Sequence, residues 1–180
     1  MRRAVDRAKL EKFMAEIGRR ATSAGTIYLT GGATALLIGI REQTIDIDIK
    51  LDPEPGGVFE AIAELKESLG INVELASPDD FIPPLSEWRE RSLWIASEGK
   101  VEFRHYDPYS QALAKIERGH DVDLADAKEL VARGLVSLDR LSVMFDAIRP
   151  QFARYPAIDG EDFERKVQDF IAEANRSADS

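Results

Sequence analysis

The sequence contains no cysteine and only two histidines among its 180 residues. Disulfide bonds and thiolate metal sites are therefore excluded, and a histidine-rich zinc site is not expected. Any metal bound by this chain needs oxygen ligands, which favours Mg²⁺ or Mn²⁺. Carboxylate side chains for such an ion are abundant, since the chain has 33 Asp and Glu residues.

Long apolar runs are also lacking. No stretch approaches the about 18 consecutive apolar residues that indicate a membrane-spanning helix. The first residues, MRRAVDRAKLEKFM, are charged and contain no apolar signal segment. We therefore expect a cytoplasmic protein that does not associate with membranes. The formal net charge of −9 argues against a broad nucleic-acid-binding surface, because such a surface needs clustered Lys and Arg side chains.

The apolar content is sufficient for a compact enzyme-sized protein. Hydrophobic residues make up 44% of the chain, and its length corresponds to about one domain of roughly 150 residues. Strand patterns come first and helix patterns last, which predicts a mixed α/β (α+β) fold with a sheet flanked by helices. We expect a core of residues 1–107 and a C-terminal helical part of residues 108–180 packed on it, with one domain overall as the alternative.

Hydrophobic periodicity and capping residues predict the individual elements. The predicted helices cover residues 2–20, 33–38, 58–69, 109–118, 124–133, 138–148 and 161–174. The predicted strands cover residues 26–30, 45–52 and 71–76, and a hairpin covers residues 91–107. Residues 77–88, with three prolines, are expected to form an ordered loop, and the tail after residue 175 is expected to be disordered.

The most informative stretch, LTGGATALLIGIREQTIDIDIKL, occupies residues 29–51. From Ile45 to Asp52 apolar and polar residues alternate, which is typical of a half-buried strand. Asp46 and Asp48 therefore share one face. Residues at this spacing lie roughly 6.6 Å apart along a strand. Two carboxylates so placed can hold one divalent ion or a pair of ions.

A glycine pair precedes this strand. Gly31 and Gly32 follow the buried strand over residues 26–30 and come directly before the predicted helix. Glycine allows the backbone to approach a ligand closely, and the start of a helix favours an anion. The stretch therefore predicts that a phosphate and a metal meet at this point.

The chain has, in this order, a strand ending in Gly-Gly, a short helix and a strand with Asp-x-Asp. This arrangement resembles the nucleotidyltransferase superfamily, which includes DNA polymerase β and aminoglycoside nucleotidyltransferases. Farther along, ALAKIERGHDVDLADAKELV resembles the Lys-then-Asp helical region of AbiEii-like bacterial nucleotidyltransferase toxins and their relatives. The resemblance implies a nucleotidyltransferase-type mixed sheet. It also implies transfer of a nucleoside monophosphate from a nucleoside triphosphate, with Mg²⁺ or Mn²⁺ as cofactor.

The resemblance also assigns roles to residues. Asp46 and Asp48 would supply the first two metal ligands. A third carboxylate, from a neighbouring strand, would bind metal and help to activate the attacking hydroxyl. The candidates are Glu74 in INVEL and Glu102 in KVEFRHY. We favour Glu74, because its strand directly follows the helix after the Asp-x-Asp strand.

Two residues of the helical part are further candidates. Lys115 would contact the triphosphate, and Asp126 matches the acidic position of the same region. Both also have an ordinary structural explanation, Lys115 as a surface charge and Asp126, with Asp123, as an acidic residue at a helix start. The two histidines, His105 and His120, are interpreted as structural or solvated.

Other classes of protein fit parts of this pattern. A phosphatase or phosphotransferase with an Asp-x-Asp nucleophile is disfavoured, because Ile49 and Lys50 follow the motif where Thr or Val is usual. Glycosyl transfer with a metal-bound nucleotide sugar normally needs a longer chain. A non-catalytic protein of this fold that binds an antitoxin or another protein remains the alternative. The acceptor, whether tRNA, protein or a small molecule, is not defined by the sequence.

Overall fold

The computed structural model describes residues 3–178. The helices are α1 (Arg7–Arg20), α2 (Gly31–Leu37), α3 (Val58–Ser68), α4 (Trp88–Arg91), α5 (Pro108–Arg118), α6 (Asp121–Ala132), α7 (Leu138–Ile148) and α8 (Gly160–Ala178). The strands are β1 (Val5–Asp6), β2 (Gly25–Thr30), β3 (Gln43–Thr44), β4 (Asp46–Leu51), β5 (Asn72–Leu75), β6 (Leu93–Glu98) and β7 (Val101–His105). Short 3-10 helices cover Pro78–Asp80 and Arg149–Arg154.

These elements belong to two compact units. The first comprises the chain up to Ser77 together with Ser92–Tyr106, and the second comprises Pro78–Arg91 and the chain from Asp107 onward. The first unit contains every strand, and the second contains helices only, within residues 3–178. The boundary expected from the sequence, with a core of residues 1–107 and a helical part of residues 108–180, stays a prediction.

A five-stranded mixed sheet forms the first unit, with strand order β5-β4-β2-β7-β6. Strands β2 and β4 are antiparallel, whereas β4 pairs in parallel with β5 and β2 in parallel with β7. Strands β6 and β7 form the expected hairpin. Helices flank the sheet, and a helical part follows. The mixed α/β fold class predicted from the sequence is therefore confirmed.

The period of two along β4 separates its apolar and polar side chains. Ile47 and Ile49 are buried in the core of the first unit, whereas Asp46 and Asp48 on the other face are half-buried. The predicted alternation is confirmed within the strand. Ile45, expected to point inward, is instead 48% exposed, because β4 begins only at the next residue.

Helix α1 is shorter than the sequence indicates. The helix was expected over residues 2–20, but it begins at Arg7. The side chain of Asp6 accepts a hydrogen bond from the backbone N–H of Lys9 at 2.8 Å and so caps the helix. Val5 belongs to β1 and pairs with Thr44 of β3. Residue 2 lies outside the described residues.

The buried stripe of α3 is shifted from the expected one. The spacing of apolar residues in the predicted helix over residues 58–69 indicates that Phe59, Ile62, Leu65 and Leu69 face the core, but Phe59 is 46% exposed. The buried side chains are those of Val58, Ala61, Ile62 and Leu65, which recur at the i, i+3, i+4, i+7 spacing of one helix face.

Two segments are more regular than expected. The proline-containing segment 77–88 includes the 3-10 helix Pro78–Asp80 and the start of α4. The predicted disorder after residue 175 is wrong for residues 176–178, because α8 continues to Ala178; residues 179–180 lie outside the described part. Among residues 3–178, none of the helices combines the length and apolar character needed to traverse a lipid bilayer.

His105 lies at the end of β7, on the apolar side of the sheet. Its Nδ1 is 3.0 Å from the hydroxyl oxygen of Thr34 in α2, and that hydroxyl donates to the carbonyl of Leu29 at 3.1 Å. Because the hydroxyl has a single hydrogen, Nδ1–H is the donor to Thr34. Burial lowers the pKa of His105 from 6.5 to about 4. His105 is therefore a neutral structural residue, as expected.

We expect His105 to make stability depend on pH. Its pKa is lower in the folded chain, so folding stability is complete above about pH 6.5 and decreases as the pH falls towards about 4. The difference between the folded and unfolded pKa of His105 corresponds to about 3 kcal/mol in the free energy of unfolding. Denaturant unfolding between pH 7 and pH 4 should show a smaller loss in His105→Asn, which keeps an N–H donor but does not titrate. His120→Asn, at an exposed position, is the control and should follow the wild type.

Candidate active site

The two aspartates of the motif lie next to other polar groups across the sheet. Asp48 pairs with Thr30 of β2 on one side and with Glu74 of β5 on the other. Paired residues in adjacent strands lie about 4.8 Å apart and point to the same face. The structure therefore brings Asp46, Asp48 and Glu74 onto one face of the sheet.

An amide side chain that sequence reasoning missed joins two of these carboxylates. Asn72 is the partner of Asp46 in the β4–β5 ladder. Its Nδ2 donates to Asp46 Oδ1 and to Glu74 Oε1, at 2.8 Å in each case. A usable signal was present in the sequence, because Asn72 is two residues before Glu74 and so shares its face.

Gly31 lies directly beside the Asp48 carboxylate. Its φ is +58°, a left-handed conformation that favours glycine. A Cβ atom at this position would be 2.9 Å from Asp48 Oδ2. The lack of a side chain at Gly31 therefore leaves space around the carboxylate.

Gly32 has a different environment. A Cβ atom there would be 2.1 Å from the hydroxyl oxygen of Thr44 and 3.0 Å from its Cβ. Thr44 is buried, and its hydroxyl donates to the backbone carbonyl of Asp46 at 3.0 Å. Gly32 is thus required by packing against the residue that fixes the start of β4. A role of either glycine in binding phosphate stays a prediction.

Glu102, the other candidate for the third carboxylate, is located away from the aspartates. It pairs with Thr26, four residues along β2 from Thr30, and β7 is two strands from β4. The separation from Asp48 is roughly 13 Å along the strands and about 10 Å across them. Glu102 also forms an ion pair with Arg104 at 2.6 Å. This position favours Glu74 as the carboxylate next to Asp48.

In the helical unit, Lys115 and Asp126 form a buried ion pair. Lys115 Nζ in α5 is 2.7 Å from Asp126 Oδ2 in α6, and the side chains are 7% and 4% exposed. Lys115 is therefore not an ordinary surface charge, and Asp126 is not at a helix start, because α6 begins at Asp121. The two residues assigned by the Lys-then-Asp resemblance contact each other directly. Their roles in binding and catalysis stay predictions.

Asp123 extends this pair to a second cation. Its Oδ1 is 3.5 Å from Lys115 Nζ and also accepts from the guanidinium of Arg118. That guanidinium lies over the Phe81 ring, 5.4 Å from its centroid. Two cations and two carboxylates thus form one charge-balanced cluster. Sequence reasoning did not identify Arg118, since a cation close to the end of a helix is common.

The side chains on the sheet face are suited to a hard divalent cation. Asp46, Asp48 and Glu74 offer carboxylate oxygens, the ligands that Mg²⁺ and Mn²⁺ prefer. Within residues 3–178, no three His, Asp or Glu side chains already converge on one metal position. Mg²⁺ commonly binds through one or two carboxylates and completes its shell with water and substrate phosphates. The carboxylates of Asp46 and Asp48, with no side chain at the adjacent Gly31, fit that mode.

We expect the loss of either member of the Lys115–Asp126 pair to lower the unfolding free energy strongly. Lys115→Met leaves the Asp126 carboxylate buried without its closest cation, which should cost about 3–5 kcal/mol in unfolding free energy. Adding Asp126→Leu should recover part of this loss. Denaturant unfolding of the single and double variants gives the coupling energy.

The exposed pair Lys128–Glu173 is a matched control, since its side chains are 41% and 52% exposed. Lys128→Met should lower the unfolding free energy by less than about 1 kcal/mol. Equal losses for Lys115→Met and Lys128→Met would contradict a structural role of the buried pair.

Comparisons with known proteins identify the family of this chain. Neither the curated proteins nor the solved structures gave a significant match. A family model described as "Nucleotidyltransferase of unknown function (DUF6036)" matches residues 8–174, nearly the whole chain. The matched segment includes the glycine pair, the Asp-x-Asp strand and the Lys115–Asp126 pair. The chain therefore belongs to the DUF6036 family of nucleotidyltransferases.

Proposed function

We propose that the protein transfers a nucleoside monophosphate from a nucleoside triphosphate to a hydroxyl-bearing acceptor, with Mg²⁺ or Mn²⁺ as cofactor. One observation carries this proposal. Asp48 lies between Gly31, which leaves space at its carboxylate, and Glu74, its partner in the adjacent strand. The carboxylate proposed to bind metal, the glycine proposed to admit a phosphate and a second carboxylate are therefore neighbours.

The chemistry follows from the charges that develop. The acceptor oxygen attacks the α-phosphorus, an oxygen–phosphorus bond forms, and the bond between the α-phosphorus and the bridging oxygen breaks to release pyrophosphate. A bound divalent cation supplies positive charge for the phosphoryl oxygens. Asp46 and Asp48 hold this cation, and Glu74 accepts the proton of the attacking hydroxyl. The exposed position of Glu74 suits that role, because the acceptor has to reach it.

The glycine pair and the helical unit contribute binding. Gly31 and Gly32 allow the phosphates to approach the backbone. Lys115 provides positive charge for the triphosphate, as the resemblance implies, and Asp126 holds its amine at 2.7 Å. In this proposal Asp126 contributes only by holding the amine of Lys115 in place.

The resemblance of the helical region to AbiEii-like toxins extends the proposal. A toxin of this kind would modify tRNA or a protein and would be neutralised by an antitoxin. A small-molecule acceptor fits the same chemistry. A protein that binds an antitoxin or another partner without catalysis would bind the triphosphate or the partner but transfer nothing.

A transfer assay separates these possibilities. The protein is incubated with each of the four nucleoside triphosphates, labelled on the α-phosphate, and with Mg²⁺ or Mn²⁺. Separate reactions contain tRNA, a protein extract or small metabolites. Label that moves to one pool identifies the acceptor class. Absence of transfer in every combination, with all four triphosphates, would contradict the proposed function.

Asp46→Asn and Asp48→Asn should each lower transfer about 100-fold or more, as expected for the loss of one preorganised electrostatic group. Each change removes a charge but keeps the side-chain shape, so the unfolding free energy should change little. Asp52→Asn is the matched control, because Asp52 directly follows the same strand on the same face. The proposal fails if both motif variants transfer at the wild-type rate.

The two candidates for the third carboxylate can be distinguished directly. Glu74→Gln should lower kcat by about 10²–10⁴-fold, the usual contribution of a general base. Glu102→Gln should retain activity, because Glu102 pairs with Arg104 away from Asp48. The reverse result would assign the proton-accepting role to Glu102. Steady-state kinetics on both variants, with thermal unfolding to confirm folding, provides the measurement.

A further inference from the structure

The Asn72 amide lies between two carboxylates that the proposed function uses for different tasks. Asp46 is a proposed metal ligand, and Glu74 is the proposed proton acceptor. The nitrogen of one amide donates to both, at 2.8 Å to each oxygen. An ionised carboxylate has no hydrogen to donate, so the nitrogen of the amide, and not its oxygen, faces both groups.

Both hydrogens of the Asn72 amide are therefore used. One oxygen of each carboxylate is fixed to the same nitrogen, and the rotation of both carboxylate planes is restricted. The second oxygen of each carboxylate, Asp46 Oδ2 or Glu74 Oε2, is not held by this amide. Two like charges on neighbouring strands would otherwise repel each other and turn apart.

It is essential to this arrangement that the amide carries no charge. A lysine or arginine at this position would also hold the two carboxylates. It would, however, cancel negative charge that a divalent cation needs, and would compete with that cation for the same oxygens. An amide orients the carboxylates and leaves their charge unchanged.

We propose that Asn72 is a positioning residue of the nucleotidyl-transfer site, which fixes Asp46 and Glu74 relative to each other. This inference rests on the proposed function. It adds a residue that touches neither the metal nor the substrate. Asn72 couples metal binding at Asp46 to proton transfer at Glu74, so its loss should weaken both.

Asn72→Leu tests this proposal, because it keeps a similar volume and removes both donors. Loss of a hydrogen-bond partner behind a metal ligand typically costs 10–100-fold in affinity or activity. Mn²⁺ affinity, measured by electron paramagnetic resonance on the protein without nucleotide, should fall at least about tenfold. In the transfer assay kcat should fall by a similar factor, with a smaller change in the KM for the triphosphate. Asn72→Ser keeps one donor and should restore part of the Mn²⁺ affinity and part of kcat.

Thr26→Val is the matched control, since Thr26 is a polar residue on the same face of the sheet, at the far end of β2 from Asp48. It should bind Mn²⁺ like the wild type. The melting temperature of Asn72→Leu should remain close to that of the wild type, because Asp46 is only half-buried and Glu74 is exposed, so water can replace the amide.

The outcomes distinguish the two proposals. Wild-type Mn²⁺ affinity and kcat in Asn72→Leu, with losses in Asp46→Asn, would overturn the role of Asn72 and leave the proposed function intact. A lower melting temperature with unchanged Mn²⁺ affinity would also overturn it, because Asn72 would then be structural only. A wild-type protein that neither binds Mn²⁺ nor transfers label would overturn both.

Discussion

The alternation of side chains along β4 is the constraint on which the candidate active site depends. Ile47 and Ile49 are buried in the core, so Asp46 and Asp48 have to lie on the opposite face. A slip of one residue in the pairing of β4 would bury both aspartates and expose both isoleucines. The hydrophobic core of the first unit thus fixes the direction of the carboxylates, and the stability of that core also maintains the site.

Local patterns in the sequence were sufficient for the five strands of the sheet, for the longer helices and for the shared face of the aspartates. Pairing between strands was not accessible in the same way. Whether Glu74 or Glu102 lies beside Asp48 depends on the parallel register of β4 with β5 and of β2 with β7. Register of this kind depends on the burial of apolar faces across several strands together, and no single short motif encodes it. The pairing of Asn72 with Asp46 was inaccessible for the same reason, although the face that Asn72 shares with Glu74 follows from their spacing in the sequence.

Long-range pairing also explains why the environment of Lys115 could not be derived from its own helix. Its spacing in α5 is compatible with a surface position, and its burial arises from the packing of α6, which brings Asp123 and Asp126 to its amine. A buried lysine with two carboxylates is costly to desolvate unless the geometry is good. The Lys-then-Asp pattern of the sequence therefore encodes a contact between two helices. A substitution at either position is therefore expected to change the stability of the helical unit.

The glycine pair acts on both aspartates by separate routes. Gly31 leaves space at the side chain of Asp48, whereas Gly32 allows Thr44 to pack closely, and Thr44 in turn donates to the backbone carbonyl of Asp46. One glycine therefore shapes the carboxylate environment and the other fixes the strand that carries it. A side chain at Gly31 would crowd Asp48 Oδ2, and a side chain at Gly32 would displace Thr44 and, through it, the start of β4. The Gly-Gly and Asp-x-Asp motifs are thus one structural unit, because the second cannot hold its geometry without the first.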